Sequence, residues 1–488
     1  MKVLLISPYI HASKVTPLHG RKHGDNEMSQ ENREDFIASS ALIYLASLLR
    51  KNNHEPILID LNCYKTHRQL DPKQYSKELI IESIVQHEPE LVGINCLFSG
   101  MFPIIMELIV MIKARFHNIK IVIGGIHPTT FPKEILKNID ELDYVVIGEG
   151  DTILVELANH IEGRNGSDIT KIQSIAYRDT SGSVVINSRQ SFIEDLDEIP
   201  IPAWDLLDFD NYKGDLSYYF NPKQHEITMR APILTSRACP YNCNFCNMHS
   251  VMGKKLRRRN PKAVVSEMEF LNRTYGVNYF SFMDDNLALS KGHILSLCQE
   301  IKNSGLDIQF DTPNGVCLNT LDEDVVAALS DAGLVKTSLA IEHGSDYIRN
   351  EVIGKRLSRE KISEVVSLCK KYRIKTAGYF IIGFPEETCD TLKDQYELMS
   401  QLDVDIKRLF SLVPFPGTRL FQQVVDDNLF SSKVNLADLW KKPVSLVQDD
   451  FLISPYDLSI EELVEFQSKF NYKSQRFESL WEDMHISK

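Results

Sequence analysis

Along nearly the whole chain, short apolar runs alternate with longer stretches whose apolar residues recur at helical spacing. That alternation marks parallel α/β architecture. Over residues 1–165 it predicts strands at 3–7, 56–60, 91–95, 121–123 and 144–147, separated by helices at 39–51, 75–86, 102–116, 131–138 and 152–162. Strand–helix units in this order make a doubly wound sheet, whose ligands bind outside the carboxyl ends of the strands. Those ends carry the loops 95–100, 124–128 and 148–150. Glycines there allow close backbone approach to a bulky ligand.

The alternation resumes after residue 231. Strands are expected at 233–236, 279–283, 308–310, 337–341, 376–382 and 406–412, with helices at 261–275, 293–303, 322–332, 359–371 and 389–401. Asn260-Pro261 and Ser358 supply helix starts. Such units suit a partial (β/α)6 barrel over 232–424, open on one side, with function at the carboxyl ends of its strands. Residues 166–231 read as an ordered connector. It holds a pair of short strands around the turn signal Asp179-Thr-Ser-Gly182, then Pro200, Pro202 and Trp204. The tail, 425–488, reads as helices at 435–440, 460–470 and 473–484 forming a helical cap over the open barrel.

Composition narrows the class. A chain of 488 residues with 43% hydrophobic and 25% charged content is a multidomain globular protein. Its net charge of −13 argues against a nucleic-acid-binding surface. One basic run, Lys254-Lys-Leu-Arg-Arg-Arg259, has two readings: a solvated loop, or a grip on an anionic group of cofactor or substrate. No stretch approaches the ~20 uncharged apolar residues of a membrane span. The N-terminus reads as a first strand rather than a signal peptide. Cys63, Cys96, Cys298, Cys317, Cys369 and Cys389 are scattered without framework spacing, so reduced thiols and a cytoplasmic location are expected.

Chemistry concentrates in Arg237-Ala-Cys-Pro-Tyr-Asn-Cys-Asn-Phe-Cys-Asn247. Cys239, Cys243 and Cys246 follow the spacing Cys-x-x-x-Cys-x-x-Cys. Three thiolates on one loop can hold three irons of a cubane 4Fe–4S cluster and leave the fourth iron open for a small molecule. Zinc would need a fourth ligand, and only His249 lies close in sequence.

This run resembles the radical S-adenosylmethionine superfamily. The resemblance implies that the open iron chelates S-adenosylmethionine, which one electron then cleaves to methionine and a 5′-deoxyadenosyl radical. It implies that Phe245 packs beside the adenine. Asp284 and Asp285, in Asp284-Asp-Asn286 after the second barrel strand, would meet the methionine moiety; the other reading of that motif is a helix N-cap. Glu342 would hold the ribose hydroxyls. Ile381 and Gly383, in Ile381-Ile-Gly-Phe-Pro-Glu386, are similar to the family's adenine segment, with Tyr379 in place of its first glycine. Thr312-Pro-Asn-Gly315 and Pro414-Phe-Pro-Gly-Thr418 resemble segments of the cobalamin-associated branch.

The first block resembles the cobalamin-binding domain that precedes many such enzymes, a flavodoxin- or Rossmann-like fold. The pieces carrying this are Val3-Leu-Leu-Ile-Ser-Pro8, Leu91-Val-Gly-Ile-Asn95, Ile121-Val-Ile-Gly-Gly-Ile-His-Pro128 and Asp143-Tyr-Val-Val-Ile-Gly-Glu-Gly150. Cobalamin contacts are thereby implied at Asn95, Ser99, Gly124, Gly125, His127, Gly148, Glu149 and Gly150. The chain departs from mutase-type domains in lacking any Asp-x-His, whose histidine ligates cobalt. Methylcobalamin without a histidine or base below the cobalt is the implied form; a degenerate domain is the alternative. The implied activity is methylation of an unactivated carbon of a small molecule, with an external one-electron donor such as flavodoxin or ferredoxin. Ring closure, ring contraction or oxidation without methyl transfer, and a non-catalytic cofactor-binding protein, stand as alternatives.

Overall fold

The computed structural model describes residues 1–9, 36–189, 192–213, 216, 219–227, 229–442 and 451–472. The first sheet has the order β2-β1-β3-β4-β5-β6-β7. Its parallel part is β1 (Lys2–Ser7), β2 (Glu55–Asp60), β3 (Leu91–Cys96), β4 (Lys120–Gly125) and β5 (Tyr144–Val146). The order 2-1-3-4-5 is that of flavodoxin-like folds. The two-residue period of the strands divides the core. Leu4, Ile6, Val92, Ile94, Ile121 and Ile123 pack on one face of the sheet, and Val3, Leu5, Leu91 and Val122 on the other.

The hairpin expected in the connector belongs to this sheet. β6 (Ile175–Arg178) pairs antiparallel with β5, and β7 (Val184–Ile186) with β6. Local sequence could locate the hairpin but not the edge it joins. The rest of the connector is packed. Trp204 is 1% exposed, and its Nε1 donates to Glu267 Oε1 at 2.9 Å. Glu267 also pairs with Arg259 at 2.7 Å. One apolar core runs from Val3 and Leu5 through Trp204 to the barrel helices.

The second sheet is built from β8 (Arg230–Ile233), β11 (Tyr279–Phe282), β12 (Gln309–Val316), β13 (Leu334–Glu342), β14 (Lys375–Ile382) and β15 (Ile406–Ser411). All are parallel, in the order β15-β14-β13-β12-β11-β8, with β8 and β15 as the edges. A separate antiparallel pair, β9 (Ser236–Arg237) and β10 (Arg257–Arg258), brackets the cysteine loop. The expected helix starts hold: Asn260 Oδ1 accepts from Lys262 N, and Ser358 Oγ from Lys361 N.

The tail is helical as expected, with one difference. Only a short 3-10 turn, Leu436–Asp438, stands where a helix was expected at 435–440; the helix Ile460–Tyr472 is present. The stretch 473–484 lies outside the described residues. Trp440 reaches back to the first domain, where its carbonyl meets His127 and its ring meets Phe102. Among the described residues no helix is long and apolar enough to cross a membrane.

Candidate functional site

The loop 239–246 leaves the carboxyl end of the first barrel strand. Ala238 takes φ +72°, a conformation uncommon outside glycine, to turn the chain into it. All three cysteines are free and half-buried. The loop is tied at several points. Asn244 N donates to Ile353 O (3.2 Å), Leu420 N to Asn244 O (3.1 Å) and Arg419 Nη2 to Asn242 O (2.7 Å). His249 Nε2 lies 3.0 Å from the Cys239 carbonyl, so that nitrogen is held by the loop backbone rather than offered as a fourth metal ligand. Burial raises all three thiols, Cys243 to about 12, and a bound cation favours the thiolate form. Thiol ligands grouped this way fit a cluster with one iron left to a small molecule.

The segment Asp284–Asn286 forms a cradle beneath this loop. Asp284 is 2% exposed and accepts from Thr235 Oγ1 at 2.7 Å, from Ser236 Oγ and from Thr235 N. Its oxygens are committed to the strand that launches the loop. The expected contact with the methionine moiety therefore does not suit it: Asp284 braces the loop. Asp285 accepts from Ala238 N at 3.2 Å, and burial together with Asp284 raises it to about 6. Asn286 Oδ1 accepts from Cys317 N at 3.1 Å. Cys317 itself lies 3.1 Å from the Tyr241 hydroxyl, inside the cysteine loop. Sequence had placed Cys317 away from the triad.

Across the barrel mouth, Glu342 ends β13 at φ +71°, beside a register shift against β14. A left-handed glutamate is strained and is held by its surroundings. Its Oε1 pairs with Lys355 Nζ at 2.6 Å, both side chains 10% exposed. Burial would lower Lys355, but Glu342 and Cys243 outweigh it and raise it. Gly383 takes φ +99°, and a Cβ there would meet Phe451 at 3.0 Å. Its N–H donates to Glu387 Oε2 at 2.6 Å, and Glu387 Oε1 meets His343 Nε2 at 2.6 Å. This buried pair joins the loop after β13 to the loop after β14. Phe245 packs edge-on to Phe384, 6.4 Å between centroids, in the same apolar cluster as Ile381. Cys239, Cys243, Cys246, Phe245, Asp285, Glu342, Ile381 and Gly383 thus share one end of the barrel.

In the first domain the loops after β3, β4 and β5 meet at the carboxyl edge of the sheet. Gly125 has φ +118°, and a Cβ there would lie 2.2 Å from Cys96 O, so only glycine lets β4 end against β3. Gly124 and Asn95 are register partners, and Ser99 opens the turn beyond them. Leu97 and Phe98 are 52% and 45% exposed at this edge. Large apolar side chains on an open strand-end loop fit an apolar corrin rim. Gly148 N donates to Thr129 Oγ1 at 2.9 Å. Gly150 opens the helix Asp151–Ile161.

Two expected cobalamin contacts turn elsewhere. His127 is fully buried, with its Nε2 2.8 Å from Trp440 O and its ring against Phe102 and Phe131. Glu149 turns to the barrel, where Arg257 Nη1 and Nη2 reach its carboxylate at 2.9 and 2.6 Å. Next to it, Arg237 grips Asp151 at 2.8 and 3.1 Å. The basic run is therefore neither a solvated loop nor a ligand grip at these positions. Arg257 and Arg259 are buried, and their anions are Glu149 and Glu267. Sequence reasoning missed Lys355, Arg237, Asp151 and Asn286; a buried charge near the cysteine run was the available signal only for Arg237.

A family profile described as B12 binding domain matches residues 32–158, and one described as Radical SAM superfamily matches residues 233–399. The chain is 30% identical to an uncharacterized methyltransferase of Pyrococcus horikoshii, over 80% of this chain and 78% of that one. It is 26% identical to cytidylyl-2-hydroxyethylphosphonate methyltransferase of Streptomyces wedmorensis, over 88% and 84%. Its fold matches the radical S-adenosylmethionine methyltransferase TsrM of Kitasatospora setae, solved with cobalamin and a 4Fe–4S cluster. That match has a TM-score of 0.67 and 22% identity, covering 87% of this chain and 75% of that one. The chain belongs to the cobalamin-binding radical S-adenosylmethionine enzymes of the methyltransferase type, whose cofactors are a 4Fe–4S cluster, S-adenosylmethionine and cobalamin.

Proposed function

We propose that the protein methylates an unactivated carbon of a small molecule. When bound, the cluster with S-adenosylmethionine supplies a 5′-deoxyadenosyl radical, and the corrinoid supplies the methyl group. The residues of the chain bind, orient and enclose. Cys239, Cys243 and Cys246 hold the cluster. Glu342, kept in place by Lys355, accepts from the ribose hydroxyls, and Phe245, Ile381 and Gly383 form the adenine wall. Asn95, Ser99, Gly124, Gly125 and Gly148 line the edge that would hold the corrin. The cluster, when bound, would take its electron from an external one-electron carrier.

The observation that supports this reading best is the pair of buried ion pairs, Arg257–Glu149 and Arg237–Asp151. They fasten the last loop of the cobalamin domain to the strands that bracket the cysteine loop. Methyl transfer between two cofactors requires such fixed proximity. Anaerobic turnover with methyl-labelled S-adenosylmethionine and candidate small molecules tests it. The expected result is deoxyadenosine together with a product heavier by one labelled methyl. Deoxyadenosine with a product that never gains the label would defeat methyl transfer.

A further inference from the structure

The lumen side of the barrel carries an excess of positive charge that the cofactor sites do not use. Register fixes which residues share that side. Ser281 stands beside Asp311, Asp311 beside Lys336, Lys336 beside Lys375 and Tyr379 beside Arg408. Tyr379 points inward: its hydroxyl donates to Pro313 O at 3.1 Å and accepts from Ser338 Oγ at 2.9 Å. The intervening residues, such as Phe310, Leu339 and Phe380, face the helices in the core. Below Glu342 the lumen-facing cations are therefore Arg230, Lys336, Lys375 and Arg408, against the carboxylate of Asp311. This occurs in a chain of net charge −13.

The charges are not equally answered. Arg230 lies 3.8 Å from Asp311 and stacks over Tyr219. Lys336 is the register neighbour of Asp311. Lys375 rests over the Phe220 ring at 5.1 Å. Tyr219 and Phe220 thus sit at the amino-terminal end of the lumen, away from the cofactor face. Arg408, half-buried, makes no ion pair or side-chain hydrogen bond with any described residue. Its planar guanidinium fork matches an oxyanion. It lies three residues below the end of β15, about 10 Å beneath the rim. Glu342 shares the next register row, with Phe380 and Leu409, so an anion held at Arg408 leaves the rest of a small molecule to extend past Glu342 toward the barrel mouth.

We propose that Arg408 anchors the substrate through a phosphoryl or phosphonyl group, the surrounding positive lumen favouring a dianion over a carboxylate. This rests on the small-molecule reading above, but its test needs no turnover. The probes are inorganic phosphate, methylphosphonate and acetate, titrated into the holoenzyme with cob(II)alamin. Phosphorus relaxation is the readout, because a paramagnetic centre in the same protein shortens it only for a nucleus bound nearby. Phosphate and methylphosphonate should show saturable relaxation enhancement, and calorimetry should show acetate binding more weakly. Arg408→Gln should weaken phosphate roughly 10- to 150-fold, and Arg408→Lys less, with iron and cobalamin content unchanged. Absence of enhancement in the unaltered holoenzyme would overturn the assignment whether or not the variants fold. So would acetate binding as tightly as phosphate. Loss of S-adenosylmethionine binding in Arg408→Gln, with phosphate unaffected, would give the residue to the cofactor and also overturn it.

Discussion

Arg257 reaches both carboxylate oxygens of Glu149 across a separation of 108 residues, at 2.9 and 2.6 Å. One partner stands in the strand pair that brackets the cysteine loop, the other in the last loop of the cobalamin domain. Arg257 also donates to Ile193 O and Met252 O, so little of the guanidinium is left to water. With Arg237–Asp151 beside it, the contact fixes where one cofactor surface stands relative to the other.

Removing one partner of a buried pair leaves an uncompensated charge, at a cost of about 3–5 kcal/mol. Glu149→Gln should therefore lower the urea midpoint of the chain sharply. Glu149→Gln combined with Arg257→Met should cost less than the sum of the single changes, since no charge is stranded. Additive losses in the double variant would show that the two side chains are not energetically coupled.

Cys239→Ala, Cys243→Ala and Cys246→Ala should each abolish cluster retention and S-adenosylmethionine cleavage together. Cys317 is near enough to raise the question of a spare ligand, because its thiol meets Tyr241 at 3.1 Å. It comes from the strand side and is 3% exposed, engaged behind the loop. Cys317→Ser should keep full iron content. Iron and deoxyadenosine formation retained in Cys243→Ala but lost on adding Cys317→Ser would reverse the assignment of ligands.

The parts that could be read from sequence are those encoded locally. The strands of the first sheet came from apolar runs, and the cysteine loop from its spacing. The Arg237–Asp151 pair spans 86 residues and leaves no periodic trace. Asp284 looked like a ligand because acidic residues at a strand end can serve either cofactor or backbone. Only the positions of Thr235 and Ser236 decide between them. The helix expected at 435–440 is only a 3-10 turn because amphipathic spacing over a few residues is not enough to sustain a helix.

Glu342→Gln should weaken S-adenosylmethionine binding while iron content stays full. The carboxylate accepts from ribose hydroxyls in the proposed pose, and loss of such charge-assisted bonds costs about 1.5–3 kcal/mol, roughly 10- to 150-fold in affinity. The amide also strands the buried Lys355 ammonium, so the stability of the variant should be measured separately. An unchanged dissociation constant would make Glu342 a counter-ion for Lys355 alone.

Cobalamin should bind to the first domain without a nitrogen ligand from His127. The ring is fully buried, its Nε2–H is directed to the Trp440 carbonyl, and it packs at a tilt against Phe102 and Phe131. Resonance of the cob(II)alamin form should show no superhyperfine triplet from this histidine, and His127→Gln should leave the spectrum unchanged. The same burial gives a pH signature. Desolvation lowers His127 to about 4, against ~6.5 in an unfolded chain. Between those values the unfolded chain binds the extra proton and the folded one does not. The contribution to stability is therefore full above about pH 6.5 and is lost as pH falls toward 4, on the order of 3 kcal/mol in all. His127→Gln keeps a donor for Trp440 but cannot titrate, so its unfolding midpoint should change less between pH 7 and 4.5 than that of the unaltered protein. A parallel pH dependence in both would mean that other groups carry the acid sensitivity. A nitrogen triplet that disappears in His127→Gln would return the residue to the cobalt.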